Sequence, residues 1–280
     1  MRRARSHPDP ARDIKELWPS ADPENSVALL KALHILTPDG RLNADSRRKL
    51  KQVLHLVQLL RPALDALLAE TDSPLFVDLG SGKSYLGFIL YDLVIGPRGR
   101  GRICGVESRV ELVERSRALA AGMGFERMQF LAQPIAEANV PDGRVDMVTA
   151  LHACDTATDD AICFALRHDA RIVALIPCCQ AEVAKLLLKA TGPLDQLWRH
   201  PIQRREFGAQ LTNVIRGLYL EAQGYKVRVT ELVGLEHSLK NELILSERHQ
   251  RSNPMAKQEL DRFIDQIGIR PKLITDAIGE

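Results

Sequence analysis

The residues best suited to chemistry form a short loop that follows a run of apolar residues. The loop reads Asp78-Leu79-Gly80-Ser81-Gly82-Lys83 and comes directly after Leu75-Phe76-Val77. Glycines let a ligand approach the backbone closely, because they carry no Cβ. The carboxylate of Asp78 beside them would attract a cationic group and repel a phosphate. The spacing therefore indicates a loop that binds a ligand with a positive charge.

Two familiar phosphate-binding patterns fit this loop poorly. A P-loop would need a glycine where Val77 stands, and a dinucleotide-binding loop would need its third glycine where Tyr85 stands. In both patterns Asp78 would face a phosphate. S-adenosylmethionine fits better, because it carries an ammonium group, a sulfonium, a ribose and an adenine but no phosphate. The remaining alternative is a tight turn that caps the next helix.

Further candidate cofactor-binding residues follow the next strands of the pattern. Glu107 ends the second predicted strand and can accept hydrogen bonds from both ribose hydroxyls, although an exposed acid or a helix cap is an alternative. Gln133 follows the third strand, where an adenine edge would lie. Ser81, Lys83 and Leu151, the last at the end of the fourth strand, complete the predicted set.

An α/β fold must position these residues, because strands and helices alternate from Leu75 onward. The pattern predicts a Rossmann-like, mostly parallel seven-stranded sheet with helices on both faces. Ligands of such sheets bind beyond the carboxyl ends of the strands. Strands are predicted at residues 75–78, 102–107, 128–131, 145–151, 171–176, 226–233 and 241–246.

Four segments are expected along the chain. Residues 1–23 are polar and proline-rich and are expected to be flexible, and residues 24–72 read as a helical accessory segment with a kink or a break at Pro62. Residues 73–250 form the predicted cofactor-binding domain, and residues 251–280 form a helical tail.

The loop Asp78–Lys83 resembles motif I of class I S-adenosylmethionine-dependent methyltransferases. Leu151-His152-Ala153-Cys154-Asp155-Thr156-Ala157-Thr158-Asp159 and Pro177-Cys178-Cys179 resemble a subgroup with His-x-Cys after strand four and Cys-Cys after strand five. The subgroup includes eukaryotic acceptor-stem tRNA 2′-O-methyltransferases and the methyltransferase domain of glutathione-S-transferase-C-terminal-domain-containing proteins. The similarity spans about residues 45–247. It departs after the cysteine pair, where the family often has histidine and this chain has Gln180-Ala181.

The resemblance places the second cluster beside the methyl group to be transferred. His152 or Asp155 is expected to orient or deprotonate the acceptor, although His152 would also suit a backbone partner and Asp155 a cap on the next helix. Cys154 and Cys179 are expected to pack or to position the acceptor. Metal binding ranks behind these roles, because the cysteine and histidine spacings differ from those of ordinary zinc sites.

Charge and composition leave the acceptor open. The net charge is only +2, so any interaction with nucleic acid must rest on local basic clusters, which lie at Arg2–Arg5, Arg47–Lys51 and Arg199–Arg205. Solvated helix faces are the alternative for each cluster. RNA is the expected acceptor, against a protein, a small molecule, or an inactive cofactor-binding interaction module. Five cysteines and no long apolar run favour a cytoplasmic protein without membrane contact, of unpredicted oligomeric state.

Overall fold

A seven-stranded sheet forms the centre of the protein. The computed structural model describes Trp18 and residues 22–42, 44–140, 144–151, 153–192, 194–232 and 242–276. The strands are β1 Leu75–Leu79, β2 Arg102–Glu107, β3 Met128–Ala132, β4 Met147–Leu151, β5 Ile172–Ile176, β6 Tyr225–Glu231 and β7 Glu242–Arg248. Their order is β3-β2-β1-β4-β5-β7-β6. β1 to β5 are parallel, and β7 is antiparallel to both of its neighbours.

Helices connect the strands and extend the chain at both ends. In the described residues they are α1 Pro23–Ala32, α2 Ala44–Glu70, α3 Tyr85–Leu90, α4 Val110–Gly122, α5 Thr156–Arg167, α6 Glu182–Leu186, α7 Pro201–Ala222, α8 Pro254–Ile267 and α9 Lys272–Asp276. A π-helical segment, Tyr91–Ile95, and one further turn, Gly96–Arg98, prolong α3. Short 3-10 turns lie at Ile135–Glu137 and Asp195–Leu197.

The helices form two layers that bury the two faces of the sheet. Apolar side chains of α1 to α4 build one core, and those of α5 to α9 build the other. All five residues of β1 and of β5 are buried, which suits central parallel strands covered on both faces. Their continuous apolar sequences, rather than an alternating pattern, follow from this double burial.

The strand order creates a crevice at the carboxyl ends of β1 and β4. From β1 the chain moves outward to β2 and β3, and it then returns to place β4 on the other side of β1. Such a reversal separates the loops that follow the two strands and leaves room for a ligand between them. The loop after β1 and the loop after β4 therefore border the same space.

The structure confirms the predicted fold class and corrects some details. β4 begins at Met147 and not at residue 145, because the Asp146 carboxylate accepts the Leu75 N–H at 2.9 Å in place of a regular ladder partner. α2 continues through Pro62 as one helix, with Leu60 and Leu64 on either side fully buried. The π-helical segment in the extension of α3 was not predicted.

α7 is longer than expected at its amino end. The sequence pattern predicts a start near residue 207, whereas the helix begins at Pro201. Proline favours the first turn of a helix, because its missing N–H has no intrahelical acceptor there. The division of the chain at residues 23, 72 and 250 stays a prediction. No helix of the described residues is both long and apolar enough to cross a membrane.

Candidate active site

The glycine loop after β1 turns the chain sharply at the crevice. Gly80 and Gly82 have φ angles of +64° and +56°, a conformation that side-chain-bearing residues rarely adopt. The Ser81 N–H donates to the Val106 carbonyl at 3.0 Å, which fixes the loop against β2. A Cβ on Gly80 would lie 3.4 Å from Ile135 Cδ1. The loop is thus a close-fitting backbone cradle that any side chain at Gly80 would begin to fill.

Asp78 places a buried carboxylate beside this cradle. Its side chain is only 4% exposed, and its Oδ1 accepts a hydrogen bond from Thr149 Oγ1 at 2.8 Å. Burial raises the pKa of Asp78 to about 7, although the Thr149 hydrogen bond opposes the shift. A carboxylate in such surroundings gains from a cationic partner. The sequence analysis missed Thr149, which a strand pattern alone presents as an ordinary β-branched residue.

Glu107 lies at the end of β2 and closes the other side of the loop. Its Oε2 accepts the Gly82 N–H at 2.9 Å, and its Oε1 accepts the backbone N–H of Arg109 at 3.0 Å and Nε of the same residue at 2.9 Å. Burial alone would raise the pKa of Glu107, but these hydrogen bonds from Arg109 and Gly82 outweigh it and lower the pKa to about 2. Glu107 is therefore an ionised acceptor that also ties the glycine loop to β2.

The other predicted cofactor residues take different positions. Gln133 follows β3, but its Oε1 accepts the Asn139 N–H at 3.0 Å, so recognition of a base edge would fall to its amino group. Leu151 ends β4 and is half-buried. Lys83 is exposed and lines a separate cavity of about 190 Å³ between α1 and α4. The structure thus brings Asp78, Gly80 and Glu107 together but does not bring Lys83 to them.

The loop after β4 is fastened to the loop after β5 through Asp155. The Asp155 N–H donates to the Cys179 carbonyl at 2.6 Å, and its Oδ1 accepts the N–H groups of Ala181 at 2.9 Å and Glu182 at 3.1 Å. The expected cap on α5 is wrong, since the Asp155 side chain makes no capping bond there and serves the start of α6 instead. A catalytic role for Asp155 stays a prediction, and His152 lies outside the described residues.

An arginine of α7 supports this loop from below. Arg216 is fully buried, and its Nε donates to Asp159 Oδ1 of α5 at 2.7 Å. Its Nη2 donates to the Asp155 carbonyl at 2.7 Å. The sequence analysis missed Arg216, although an arginine between Ile215 and Tyr219 on the apolar face of a helix is a usable signal.

Three cysteines meet where β4 and β5 end. The sulfur atoms of Cys154, Cys178 and Cys179 all lie within 4.8 Å of one another, and the Cys154–Cys178 pair is 3.6 Å apart. Burial, together with the two neighbouring thiols, raises the pKa of Cys178 to about 12. All five cysteines of the chain lie in the described part, and none forms a disulfide.

The donor set fits S-adenosylmethionine. Asp78 would hold the ammonium group, the backbone at Gly80 and Gly82 would admit the amino-acid moiety, and Glu107 would accept the ribose hydroxyls. When bound, this cofactor supplies an electrophilic methyl group. A phosphate-bearing cofactor would meet two carboxylates at the same place.

Comparison with solved structures returns proteins of low sequence identity. Magnesium protoporphyrin IX methyltransferase from Synechocystis PCC 6803 is 15% identical, with a TM-score of 0.47 over 80% of this chain and 96% of that chain. An rRNA methylase from Streptococcus thermophilus is 13% identical, with a TM-score of 0.43 over 67% and 95%. Precorrin-6y C5,15-methyltransferase from Geobacter metallireducens is 16% identical, with a TM-score of 0.41 over 69% and 89%. A search of curated proteins finds no match.

A family model described as a methyltransferase domain matches residues 48–186. The matched stretch runs from within α2 to the end of α6. It contains the glycine loop, Asp78, Glu107 and the cysteines that follow β4 and β5. With residues 48–186 forming a methyltransferase domain around an acid-bearing glycine loop, the chain is an S-adenosylmethionine-dependent methyltransferase.

Proposed function

We propose that the methyl acceptor is RNA and that it binds in a basic cavity next to Cys179. The cavity measures about 590 Å³, and its lining includes Lys185, Arg204 and Arg205. No acidic side chain other than Asp155 is among its lining residues. Three cationic side chains around one cavity suit a polyanionic backbone. This local charge carries the proposal, because the net charge of the whole chain is only +2.

The position of the cavity supports the same acceptor. Asp155 and Cys179 line it, and they also belong to the loops that follow β4 and β5. A strand of RNA along the basic residues would therefore bring a nucleotide to the carboxyl edge of the sheet, where the cofactor binds. The Arg199–Arg205 cluster contributes two of the cavity's basic residues. The cluster at Arg2–Arg5 and the side chains of Arg48 and Lys49 lie outside the described residues.

Within this proposal, His152 or Asp155 orients or deprotonates the acceptor group, and Cys154 and Cys179 border it. The resemblance to acceptor-stem tRNA 2′-O-methyltransferases makes a ribose 2′-hydroxyl of tRNA the first acceptor to test. A hydroxyl nucleophile reacts faster when a base removes its proton. Alignment with the methyl group and exclusion of water remain the larger requirements for this displacement.

The direct experiment incubates the protein with methyl-labelled S-adenosylmethionine and fractionated cell lysate. Labelled methyl in a fraction that RNase destroys supports the proposal. A labelled product that is protease-sensitive or of low mass overturns it in favour of a protein or small-molecule acceptor. Binding of S-adenosylmethionine without methylation of any fraction would instead identify an inactive binding module.

Charge reversal tests the cavity itself. Lys185→Glu with Arg205→Glu should weaken RNA binding and flatten its dependence on salt, by a log–log slope of about 0.7 for each lost phosphate contact to a single strand. Lys226→Glu with Arg228→Glu is the matched control, because both residues are exposed on the edge strand β6 and do not line the cavity. Equal effects of the two double variants would mean that the interaction is not local to the cavity.

A further inference from the structure

The cluster of Cys154, Cys178 and Cys179 has the composition and spacing of a metal-ligand set. Each residue offers one sulfur, and the three sulfurs lie within 4.8 Å of one another. Zinc–sulfur bonds are about 2.3 Å long, so thiolates that share one zinc ion lie about 3.8 to 4 Å apart. The Cys154–Cys178 separation of 3.6 Å is already close to that value. Small rotations of side chains would therefore place one ion among all three.

Apolar packing does not explain this cluster. Cys154 and Cys179 are exposed, and Cys178 is half-buried, whereas a cysteine that acts as a small hydrophobic residue is normally among the most buried. Thiols are weak donors and weak acceptors, so mutual hydrogen bonds stabilise such a grouping little. The structure therefore holds three reactive groups at a solvent-accessible place without a packing reason.

The backbone holds the two cysteine-bearing loops together. β4 and β5 are paired up to Leu151 and Ile176, and the cysteines follow directly. The Asp155 N–H donates to the Cys179 carbonyl across the two loops, and the Asp155 carboxylate caps the start of α6. The thiols are thus positioned by main-chain hydrogen bonds before any ion arrives, which lowers the entropic cost of binding.

We propose that Cys154, Cys178 and Cys179 bind one Zn²⁺ ion at the carboxyl ends of β4 and β5. Soft thiolate ligands select such an ion over Mg²⁺ or Ca²⁺. The usual zinc spacing of two to four residues between cysteines applies to ligands on one turn, whereas these ligands come from two neighbouring loops. Three protein ligands leave one coordination position, and Cys179 borders the cavity of about 590 Å³ from which a further ligand can enter.

The test measures ion binding to the reduced, full-length protein in the absence of any methyl acceptor. Equilibrium dialysis should find one Zn²⁺ per chain and no comparable binding of Mg²⁺. Co²⁺ in place of Zn²⁺ should give sulfur-to-metal charge-transfer absorption, which reports thiolate ligands directly. Neither readout depends on the identity of the acceptor, so failure here leaves the RNA proposal standing, and the converse also holds.

Substitution of single ligands locates the ion. Cys154→Ser and Cys179→Ser should each weaken Zn²⁺ binding by more than the roughly 10- to 100-fold that an outer-shell change costs. Both residues are exposed, so the variants should fold. Cys163→Ser is the matched control, because Cys163 lies on α5 outside the cluster. Bound Zn²⁺ should also protect Cys154 and Cys179, but not Cys163, from a thiol-alkylating reagent.

Three results would overturn the proposal. The first is the absence of stoichiometric Zn²⁺ binding by the reduced protein. The second is wild-type affinity in Cys154→Ser and Cys179→Ser. The third is an equal loss of affinity in Cys163→Ser, which would show that the thiols act through the fold and not as ligands.

Discussion

Asp78 is a carboxylate whose surroundings favour its neutral form until a cation arrives. It is almost completely buried, and its one described hydrogen-bond donor, Thr149, does not offset the burial. Glu107 differs, because Arg109 and Gly82 donate hydrogen bonds that keep it ionised. The two acids of the cofactor site therefore titrate in different pH ranges, and this difference can be measured.

The pH dependence of cofactor binding should report Asp78. Folding raises the pKa of Asp78 to about 7 in the protein without ligand, and the ammonium group of S-adenosylmethionine prefers the ionised carboxylate. Affinity should therefore fall by up to about tenfold per pH unit below about pH 7. Isothermal titration calorimetry between about pH 5 and pH 8 should also detect proton release on binding at the acidic end.

Two variants separate Asp78 from its surroundings. Asp78→Asn should bind weakly and without pH dependence in this range, since no carboxylate remains to titrate. Glu107→Gln should also bind weakly but should keep the pH dependence near pH 7, because the pKa of Glu107 is about 2. Persistence of the titration in Asp78→Asn would assign it to another group.

Substitution of Gly80 should abolish cofactor binding beyond its effect on stability. Gly80→Val forces a β-branched residue to φ +64°, at a cost of about 1–2 kcal/mol. The added Cβ meets Ile135 of the protein only at an ordinary contact distance of 3.4 Å, so the further loss must come from the space of the ligand. Calorimetry should detect no S-adenosylmethionine binding.

Gly268→Val is the matched control for this substitution. Gly268 has φ +73° at the end of α8, and a Cβ there would meet nothing within 4 Å. The control should lose comparable stability in thermal unfolding and should bind the cofactor normally. Equal binding losses in the two variants would mean that strain, and not occlusion, explains the effect.

At the residue scale, local patterns could predict the cofactor residues but not their partners. Asp78, Gly80 and Glu107 occupy fixed positions relative to strand ends, so a strand-and-loop pattern finds them. Thr149 contacts Asp78 from a strand far away in sequence, and only the pairing of β1 with β4 brings them together. Lys83 failed for the related reason that its place in the loop does not fix the direction of its side chain.

Among the elements, α7 stabilises the catalytic edge of the sheet more than its sequence suggests. Arg216 lies on the buried face of α7, where it binds the Asp159 carboxylate on α5 and the carbonyl of Asp155. Asn213, one turn earlier, accepts a hydrogen bond from Gln180 at 3.0 Å. One helix thus supports the loops that follow both β4 and β5.

Removal of Arg216 should destabilise the protein strongly. Arg216→Met leaves the buried carboxylate of Asp159 without its cation, and such a break typically costs about 3–5 kcal/mol. Urea unfolding should show the loss as a lower midpoint. The exposed Arg205→Met on the same helix should change stability by no more than about 0.5 kcal/mol.

The double variant tests whether the buried ion pair is the cause. Arg216→Met with Asp159→Leu removes both charges and should recover part of the stability lost in Arg216→Met alone. If Arg216→Met loses less than about 1 kcal/mol, the pair is not a major support of the loops.

The elements themselves were mostly predictable, because hydrophobic periodicity marks them. β2 and α4 lie where the pattern placed them within a residue. The π-helical segment Tyr91–Ile95 was missed, since five buried residues in succession have the same pattern in a π-helix and an α-helix. The short α6 ends after five residues, where the pattern left its length open.

Over the whole molecule, the amino-terminal helices are part of the main core. α1 and α2 share one apolar cluster with α3, α4 and the inner face of the sheet. The side chains of Trp18 and Ser26 both donate to the buried carboxylate of Asp92, at 2.7 Å each, which fastens the amino-terminal region to the extension of α3. The matched methyltransferase domain begins at residue 48, within α2, so part of this layer lies outside the family's own boundary.

Deletion of residues 1–72 should therefore prevent stable folding of the rest of the chain. Several leucines of α2 are at most 1% exposed, and each contributes about 1.5–3 kcal/mol through burial: Leu50, Leu56, Leu60, Leu64 and Leu67. Their sum matches or exceeds the net stability of about 5–15 kcal/mol that a domain has. The remaining protein would also expose the partners of these leucines on α3 and the sheet.

Soluble expression, circular dichroism and cofactor calorimetry on residues 73–280 would measure this outcome. We expect aggregation or a non-cooperative thermal transition, and no S-adenosylmethionine binding. Gln58→Asp and Leu60→Asp in the full chain provide matched controls, because Gln58 is exposed and Leu60 is fully buried on the same helix. Only Leu60→Asp should behave like the deletion. A folded, cofactor-binding fragment would instead show that residues 24–72 are an accessory segment that the domain can lose, because the sheet and its remaining helices would then suffice for stability.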